Sequence, residues 1–457
     1  MRELLDRIPS GSSLPLGDQI LIPAGIIVPM LIAFALWVSF PPDRRRSGAI
    51  ALATTWNAVW LLVFNVVAVQ VGWWSFGDAG PAIAGVPVAL WLGWVALWGT
   101  AASQSPLRPS VTLLVLALLD LIYMPLFGGA VELGRAWLVG EVFLLAFVAW
   151  PGLLLAHWTN RGERLIGRTI GQGAMFSAML LFVVPAISTS VAGNNLALDV
   201  PTWTFGALFI GLGIASLPAV IAIHDFYANG ATPWPWDTTL RPVRSGPYRY
   251  LRSPMQLSGF LVLVWATFLY GRVEIGAAAI SSILYARIFC ELEERDLRER
   301  FGVPWTRLVA NQGRWIPSMR PSPHGSEATI WIDAGCETCS PLGDFLAARA
   351  PVNLHIENAI QYREGLSRTR YEREDGQVFN GMQAVGAALE HLHLGWALIG
   401  WLLRAPVLWR LWQLAGDASG FGPTTRLLTA TPAARPLDLP WIEPGGGTPD
   451  VPRKAVS

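Results

Sequence analysis

The chain has 457 residues, of which 53% are hydrophobic and 14% are charged, and its mean hydropathy is +0.42. Soluble domains carry roughly 25% charged residues, so this composition excludes a wholly soluble protein and favours one with many membrane helices. A formal net charge of +1 provides no basic field for nucleic acid. Three cysteines cannot build a disulfide framework.

Apolar runs that can cross a bilayer, which takes roughly 20 residues, recur through the first two thirds of the chain. We predict about nine spans, near residues 20–40, 49–71, 83–102, 111–128, 136–157, 173–193, 203–224, 255–271 and 275–289. The last two form a tight helical hairpin. The first seven belong to an N-terminal transmembrane region, residues 1–200, where Asp120, Glu132 and Glu141 lie at membrane depth or at a boundary and are candidates for function.

The arginines predict the orientation, because basic residues in short loops stay in the cytoplasm. One alternating set of connections contains eleven arginines, and the opposite set with the N-terminal tail contains four. We therefore expect a multi-pass protein of the bacterial inner membrane, with its N-terminus outside and its C-terminal domain in the cytoplasm.

An Arg-rich loop, residues 231–254, precedes the eighth predicted span. A connection so rich in Pro, Trp, Tyr and Arg has a role beyond joining two helices. Gly246-Pro247 predicts a turn, and Pro254 opens a helix whose free N–H groups point towards whatever the loop holds. The aromatic side chains that can stack on a planar ring and the arginines that can hold a carboxylate are Tyr248, Tyr250, Arg249 and Arg252.

An acidic segment, residues 290–317, follows the hairpin on the same predicted side of the membrane. On a helix, Glu291 and Glu294 share a face. These carboxylates can accept from a ribose or an α-amino group; the alternative is an amphipathic juxtamembrane helix with solvated charges.

Residues 204–317 resemble the membrane-embedded methyltransferases that include isoprenylcysteine carboxyl methyltransferase and the phospholipid methyltransferases. The resemblance rests on GPYRYLRSPM, EERDLRERFG, the final WIP, and TPWPWD followed by RPV. It implies that residues 201–317 are a methyltransferase domain with S-adenosylmethionine in a cytoplasmic pocket and a lipophilic acceptor that enters from the bilayer. By the same resemblance the cofactor site is lined by Gly246, Pro247, Tyr248, Arg252, Pro254, Glu293 and Glu294.

Two positions in these motifs depart from the family pattern. Ser253 stands where the family usually has histidine, and Gln256 stands where it usually has an aromatic residue. Neither side chain supplies an imidazole, so one contact to the cofactor must be remade or lost.

The composition changes after residue 317, where a Pro/Ser/Gly linker (318–327) precedes a small α/β module (328–415). Its pattern predicts a strand at 328–332, a helix at 340–350, a strand at 352–356, a hairpin that turns at 375–376, and a helix at 382–392. Residues 394–415 are apolar with interruptions and predict an interfacial or docking helix pair. The Pro/Gly-rich tail, 416–457, is predicted to be disordered.

Cys336 and Cys339 form a Cys-x-x-Cys motif between the first predicted strand and the next helix. A helix N-terminus stabilises a thiolate at Cys336, and Cys339 can resolve a mixed disulfide, so we favour a redox dithiol. A zinc site needs four ligands, which the scattered histidines do not complete. The segment is similar to the DCC family of thiol-disulfide oxidoreductase-like proteins, which implies a thioredoxin-like fold. The alternative is a degenerate module kept for its fold. Cys290, placed at a helix end, is predicted to be structural.

The leading hypothesis is methyl transfer from S-adenosylmethionine to a lipophilic thiol, carboxylate or amine, with a cellular thiol reductant as a further partner of the dithiol. A second hypothesis is a membrane thiol oxidoreductase that uses Cys336 and Cys339 and whose helices anchor it or bind a quinone. A third is a non-catalytic isoprenoid-binding protein, since VGWWSF followed by GVPVALWLGW is similar to bacterial carotenoid-biosynthesis membrane proteins.

Overall fold

The computed structural model describes residues 16–77, 80–198, 201–237, 239–362 and 365–423. The chain divides into two compact units, Met1–Ser318 and Met319–Ser457, and the boundary falls at the start of the predicted linker. Most of the predicted disordered tail lies outside the described residues.

The first unit is helical. Its principal helices are α1 (Leu16–Ser39), α2 (Arg44–Val71), α3 (Val88–Trp94), α4 (Pro109–Tyr123), α5 (Trp137–Leu144, continued by Trp150–Arg161), α6 (Leu165–Ala178, continued by Val184–Val191), α7 (Thr202–Ala228), α8 (Pro254–Tyr270), α9 (Val273–Phe301) and α10 (Val303–Val309). Two short antiparallel pairs connect them: β1 (Trp74–Phe76) with β4 (Val131–Leu133), and β2 (Ala82–Ile83) with β3 (Val86–Pro87).

Six of the described helices are long and apolar enough to cross a membrane, and they correspond to α2, α4, α5, α6, α7 and α9. Ala24–Ser39 and Pro254–Tyr270 are apolar but shorter. Large apolar side chains such as Phe209, Ile210 and Ile280 are exposed on the outer faces, as expected of surfaces that contact lipid. The fold is therefore that of a helical membrane protein, and the count of nine spans stays a prediction.

Three helices of the first unit contain a π-helical turn: Val95–Ala101, Leu145–Ala149 and Met179–Val183. A π turn holds an extra residue and loosens the backbone ladder. In each case a side chain from another helix donates to a carbonyl in the π turn. These pairs are Asn57 Nδ2 to Trp98 O (3.4 Å), Trp56 Nε1 to Val148 O (2.8 Å) and Tyr270 Oη to Leu181 O (2.7 Å).

The hairpin of α8 and α9 turns at Gly271, which adopts a left-handed conformation (φ 61°) that favours glycine. Helix α9 continues without a break from the apolar segment through the acidic one and ends at Phe301. This corrects the placement of Cys290, which lies inside the helix and is buried there. The helix carries the acidic side chains back beside the loop that precedes α8.

The second unit contains a four-stranded sheet in the order β6-β5-β7-β8. Its strands are β5 (Ala328–Ile332), β6 (Leu354–Asn358), β7 (Arg370–Arg373) and β8 (Val378–Asn380), and its helices are α11 (Ser340–Ala347), α12 (Met382–Leu389), α13 (Leu394–Arg404) and α14 (Leu408–Gly416). Strand β5 is parallel to β6 and antiparallel to β7. These elements agree with the predicted pattern to within a few residues at their ends.

Candidate active site

The Arg-rich loop contains a 3₁₀ turn, Gly246–Arg249, immediately before α8. Gly246 has φ +56°, and a Cβ atom there would lie 2.3 Å from Oδ2 of Asp225. Asp225 is fully buried on α7 and accepts a hydrogen bond from Ser245 Oγ at 3.0 Å. The loop therefore approaches α7 so closely that only glycine fits at this position.

The Arg-rich loop and the acidic segment meet in space, as the sequence predicts. Arg252 Nη1 lies 3.7 Å from Glu294 Oε2. Arg314 donates to both oxygens of the same carboxylate, from Nε at 2.9 Å and from Nη2 at 3.2 Å. This two-bond geometry is the strong form of an arginine–carboxylate contact, and the hydrogen bond to Glu294 raises the pKa of Arg314.

Arg252 is engaged by the protein itself. Its Nε donates to Gln312 O and its Nη2 to Val309 O, both at 2.9 Å, and the adjoining backbone pairs with the segment at Gly313. Arg249 is fully buried. Arg252 thus fastens the loop to the end of α10 and to the segment after it. That Arg252 and Arg249 hold a ligand carboxylate stays a prediction.

A cleft opens where the two segments meet, with an empty volume of about 460 Å³ that includes space open to solvent. Five of the predicted cofactor residues line it: Tyr248, Arg252, Ser253, Glu293 and Glu294. Its other lining residues are Phe226, Thr239, Pro242, Val243, Leu297 and Trp305. Leu297 could have been predicted, because it lies one helical turn after Glu293. Phe226 and Trp305 could not, because they belong to other helices whose packing against this segment is not encoded in a local sequence pattern.

The remaining predicted residues lie beside the cleft. Gln256 Nε2 is 3.4 Å from Glu293 Oε2. Ser253 Oγ is 3.4 Å from the Cys290 sulfur, and both residues are buried. Gly246, Pro247 and Pro254 are the buried residues that shape the turn and the start of α8.

The two neighbouring carboxylates of α9 differ in their charge partners. Glu294 is held by Arg314 and lies near Arg252. Glu293 lines the same cleft but makes no ion pair with any residue in the described ranges. Burial, together with the charges of Glu293 and Asp225, raises the pKa of Tyr248 well above its ordinary value, so the phenol stays protonated and can donate a hydrogen bond. The cleft thus offers an unneutralised carboxylate, a phenol donor and an indole face.

The second predicted site lies in the second unit, between β5 and α11. The sulfur atoms of Cys336 and Cys339 are 2.9 Å apart as free thiols, and Cys339 N donates to Cys336 Sγ at 3.3 Å. Burial and the hydrogen bond that the Cys339 thiol makes to Cys336 raise the pKa of Cys339 to about 12. Thus Cys339 is protonated at neutral pH, whereas the Cys336 sulfur accepts a hydrogen bond from the backbone N–H group of Cys339 at the start of the helix. Among the described residues no three His, Cys, Asp or Glu side chains are placed to hold a metal ion.

Comparison with known proteins gives a family match in the hairpin region and a curated relative. Residues 205–303 match the family model "Phospholipid methyltransferase". A curated relative, methanethiol S-methyltransferase of Pseudomonas deceptionensis, is 37% identical over 78 residues, which cover 17% of this chain and 28% of the relative. No solved structure matches the chain. The family match supports methyl transfer by the region that contains most of α7, α8 and α9.

Proposed function

We propose that the protein transfers a methyl group from S-adenosylmethionine to a lipophilic acceptor at the cytoplasmic membrane face. The observation that carries the proposal is Glu293, a carboxylate on the wall of the cleft that lacks an arginine partner in the described part of the chain. S-adenosylmethionine carries a sulfonium and an α-ammonium group, and an unneutralised carboxylate at low solvent exposure favours a cationic ligand.

The residues present fit this cofactor. Glu293 would attract its positive charge, while Tyr248 and Trp305 provide aromatic surface for a purine ring. When bound, the cofactor supplies an electrophilic methyl group on sulfur. Arg314 keeps Glu294 in place and so fixes one wall of the cleft. What the chain contributes is orientation and exclusion of water, which are the main demands of such a displacement.

The acceptor belongs to the thiols, carboxylates and amines, and the name of the curated relative favours a thiol. Thiolates and carboxylates need no general base, which suits a cleft whose Tyr248 stays protonated. Apolar lining from Phe226, Val243 and Leu297 favours an acceptor with an apolar body. The orientation with the N-terminus outside and the second unit in the cytoplasm is part of the proposal, and reporter fusions at both ends test it.

Calorimetry with the purified full chain tests cofactor binding. Glu293→Gln removes the charge but keeps the shape, and we expect S-adenosylmethionine to bind about 10- to 100-fold more weakly, which is the value of a charged hydrogen bond. The matched control is Glu299→Gln, an exposed position on the same helix, which should leave affinity unchanged. Absence of binding heat in the unaltered protein, or equal affinity in both variants, contradicts the proposal.

The acceptor class is tested by incubation with methyl-labelled cofactor and alkyl thiols, carboxylates and amines of equal chain length. We expect label in the extracted thioether and a rate that rises with chain length. Label in the ester or the methylamine product would assign a different class, and absence of label in every product would exclude this activity.

For the second unit we infer a thiol–disulfide function, favoured by the 2.9 Å approach of the Cys336 and Cys339 sulfurs. At neutral pH a limiting amount of an alkylating reagent should label Cys336 and leave Cys339, because the Cys339 thiol with its pKa of about 12 provides almost no thiolate. Labelling of Cys339 should rise only as the pH approaches that pKa. Peptide mass spectrometry gives the ratio, and equal labelling at neutral pH contradicts the assignment. Methyl transfer should survive Cys336→Ser.

A further inference from the structure

A second, smaller cavity lies among the N-terminal helices, away from the cleft at the hairpin. Its nine lining residues are Leu61, Asn65, Trp74, Trp94, Trp98, Asp120, Met124, Glu141 and Leu144. They come from α2, α3 with its π turn, α4 and the turn after it, α5, and strand β1. It has room on the order of one water molecule. Two membrane-level carboxyl groups therefore border one small cavity.

Polar groups on two different helices face this cavity without a hydrogen-bond partner. Glu141 is 2% exposed, and neither of its carboxyl oxygens accepts a hydrogen bond from a donor in the described ranges. Trp98 is also 2% exposed, and its indole N–H has no acceptor among the same residues. By contrast, Asn65 accepts from Trp74 Nε1 at 3.0 Å and donates to Leu61 O at 2.8 Å. The groups that lack a hydrogen-bond partner are thus one donor, the Trp98 N–H group, and one carboxyl group, that of Glu141.

The charge balance of the cavity is also incomplete. Asp120 on α4 and Glu141 on α5 line the cavity together, and they are the only titratable groups among its nine lining residues. No arginine, lysine or histidine lines the cavity from any of the five neighbouring elements. Two ionised carboxylates that face each other without a cation repel strongly at low dielectric, so such a pair is stable only if it acquires one positive charge.

We propose that Asp120 and Glu141 form a membrane-embedded proton-binding site, in which one proton is shared by the two carboxyl groups and one water molecule bridges Trp98 to Glu141. A bare monovalent metal ion would supply the same charge. However, a metal ion binds oxygen atoms alone and leaves the indole N–H without an acceptor, whereas a water oxygen accepts from Trp98 and its hydrogens donate to the carboxyl group. The proton with one water therefore satisfies all the unmet groups.

Infrared difference spectroscopy of the full chain in lipid nanodiscs tests the site. A protonated carboxyl group has a carbonyl-stretch band that carboxylates lack. We expect this band to persist at neutral pH and to disappear in Glu141→Gln. In Asp120→Asn we expect it to shift, because Glu141 is still buried there without a cation but no longer shares its proton. Trp98→Phe, which removes the donor, should shift the band without abolishing it. Glu132→Gln is the matched control, because Glu132 lies on the adjoining strand and accepts from Ser75 at 3.2 Å; it should leave the band unchanged.

Each outcome decides for or against the site. Absence of the band at neutral pH in the unaltered protein, its persistence in Glu141→Gln, or an unshifted band in Asp120→Asn overturns the proposal. Loss of the band when sodium chloride replaces choline chloride at constant pH also overturns it, since a metal ion then occupies the cavity. Retention of the membrane-helix circular dichroism in Glu141→Gln and Asp120→Asn shows that a lost or shifted band reflects the carboxyl pair and not unfolding.

Discussion

Two places in the first unit put neighbouring carboxyl groups in partly or fully buried surroundings, and they balance charge in different ways. At the hairpin cleft, Glu294 is held by Arg314 and lies near Arg252. In the N-terminal cavity, Asp120 and Glu141 both line the wall, and no cationic side chain does. A guanidinium fixes the charge permanently, whereas a pair without one depends on what it binds. The first arrangement fixes one side of the cleft, and the second forms a site whose charge can change when it binds a proton.

The largest expected effect comes from a third carboxylate, one that a buried arginine neutralises. Arg168 on α6 is 3% exposed and donates to Asp237 of the Arg-rich loop. Arg168→Gln should lower the free energy of unfolding by about 3 kcal/mol, because it leaves a carboxylate without its cation. It should also weaken cofactor binding, since the same loop carries Thr239 and Val243 of the cleft.

Denaturant titration in mixed micelles measures the loss of stability. Exposed Arg287 on α9 provides the control, and its replacement by Gln should cost less than about 1 kcal/mol. If Arg168→Gln behaves like that surface variant, the N-terminal helices do not anchor the loop.

The next effect concerns Glu294 itself. Glu294→Gln removes the charge that two guanidinium groups share, and we expect a loss of about 2 kcal/mol, smaller than at Arg168 because the arginine side chains are about a quarter exposed. The same titration measures it, with Glu299→Gln as the exposed partner variant. An unchanged denaturation midpoint in Glu294→Gln would mean that solvent already screens the charges of Glu294, Arg252 and Arg314.

The smallest effect is expected in the cavity. Glu141→Gln should change the free energy of unfolding at neutral pH by less than about 1 kcal/mol, because a carboxyl pair that shares a proton already lacks one of its charges and an amide replaces an acid of the same shape. The comparison of the two regions fails if this change costs as much as Glu294→Gln under identical conditions.

The sequence was enough to predict the elements that have strong local patterns. The turn at Gly246, the hairpin and the strand at Ala328–Ile332 follow from motifs whose residues lie within a few positions of one another. The approach of Arg252 to Glu294 follows from the hairpin, which returns the two segments to the same side of the membrane. What it missed depends on partners remote in the chain. Arg252 donates to backbone carbonyls near residue 310. Every residue has such a carbonyl, so the pattern of side chains in the sequence does not reveal which one is the acceptor.

The N-terminal region illustrates the same limit. Asp120 and Glu141 stand out in the sequence as membrane-level acids, but neither spacing nor composition shows that they share a cavity with Trp98. That contact depends on how α4 and α5 pack, which the period of an apolar helix does not specify. The assignment of nine spans, the orientation and the dithiol activity remain predictions from the sequence.

The π turns carry a consequence for how this bundle tolerates change. Each supplies a main-chain oxygen that a Trp, Asn or Tyr of another helix reaches, and a carbonyl is present whatever residue occupies the turn. The lipid-facing residues of these three turns can therefore be replaced by other apolar residues without loss of the hydrogen bonds between the helices. The donor residues cannot be replaced in this way. Trp56→Phe would leave the Val148 carbonyl oxygen without a hydrogen bond inside the membrane, where no water can replace the lost donor.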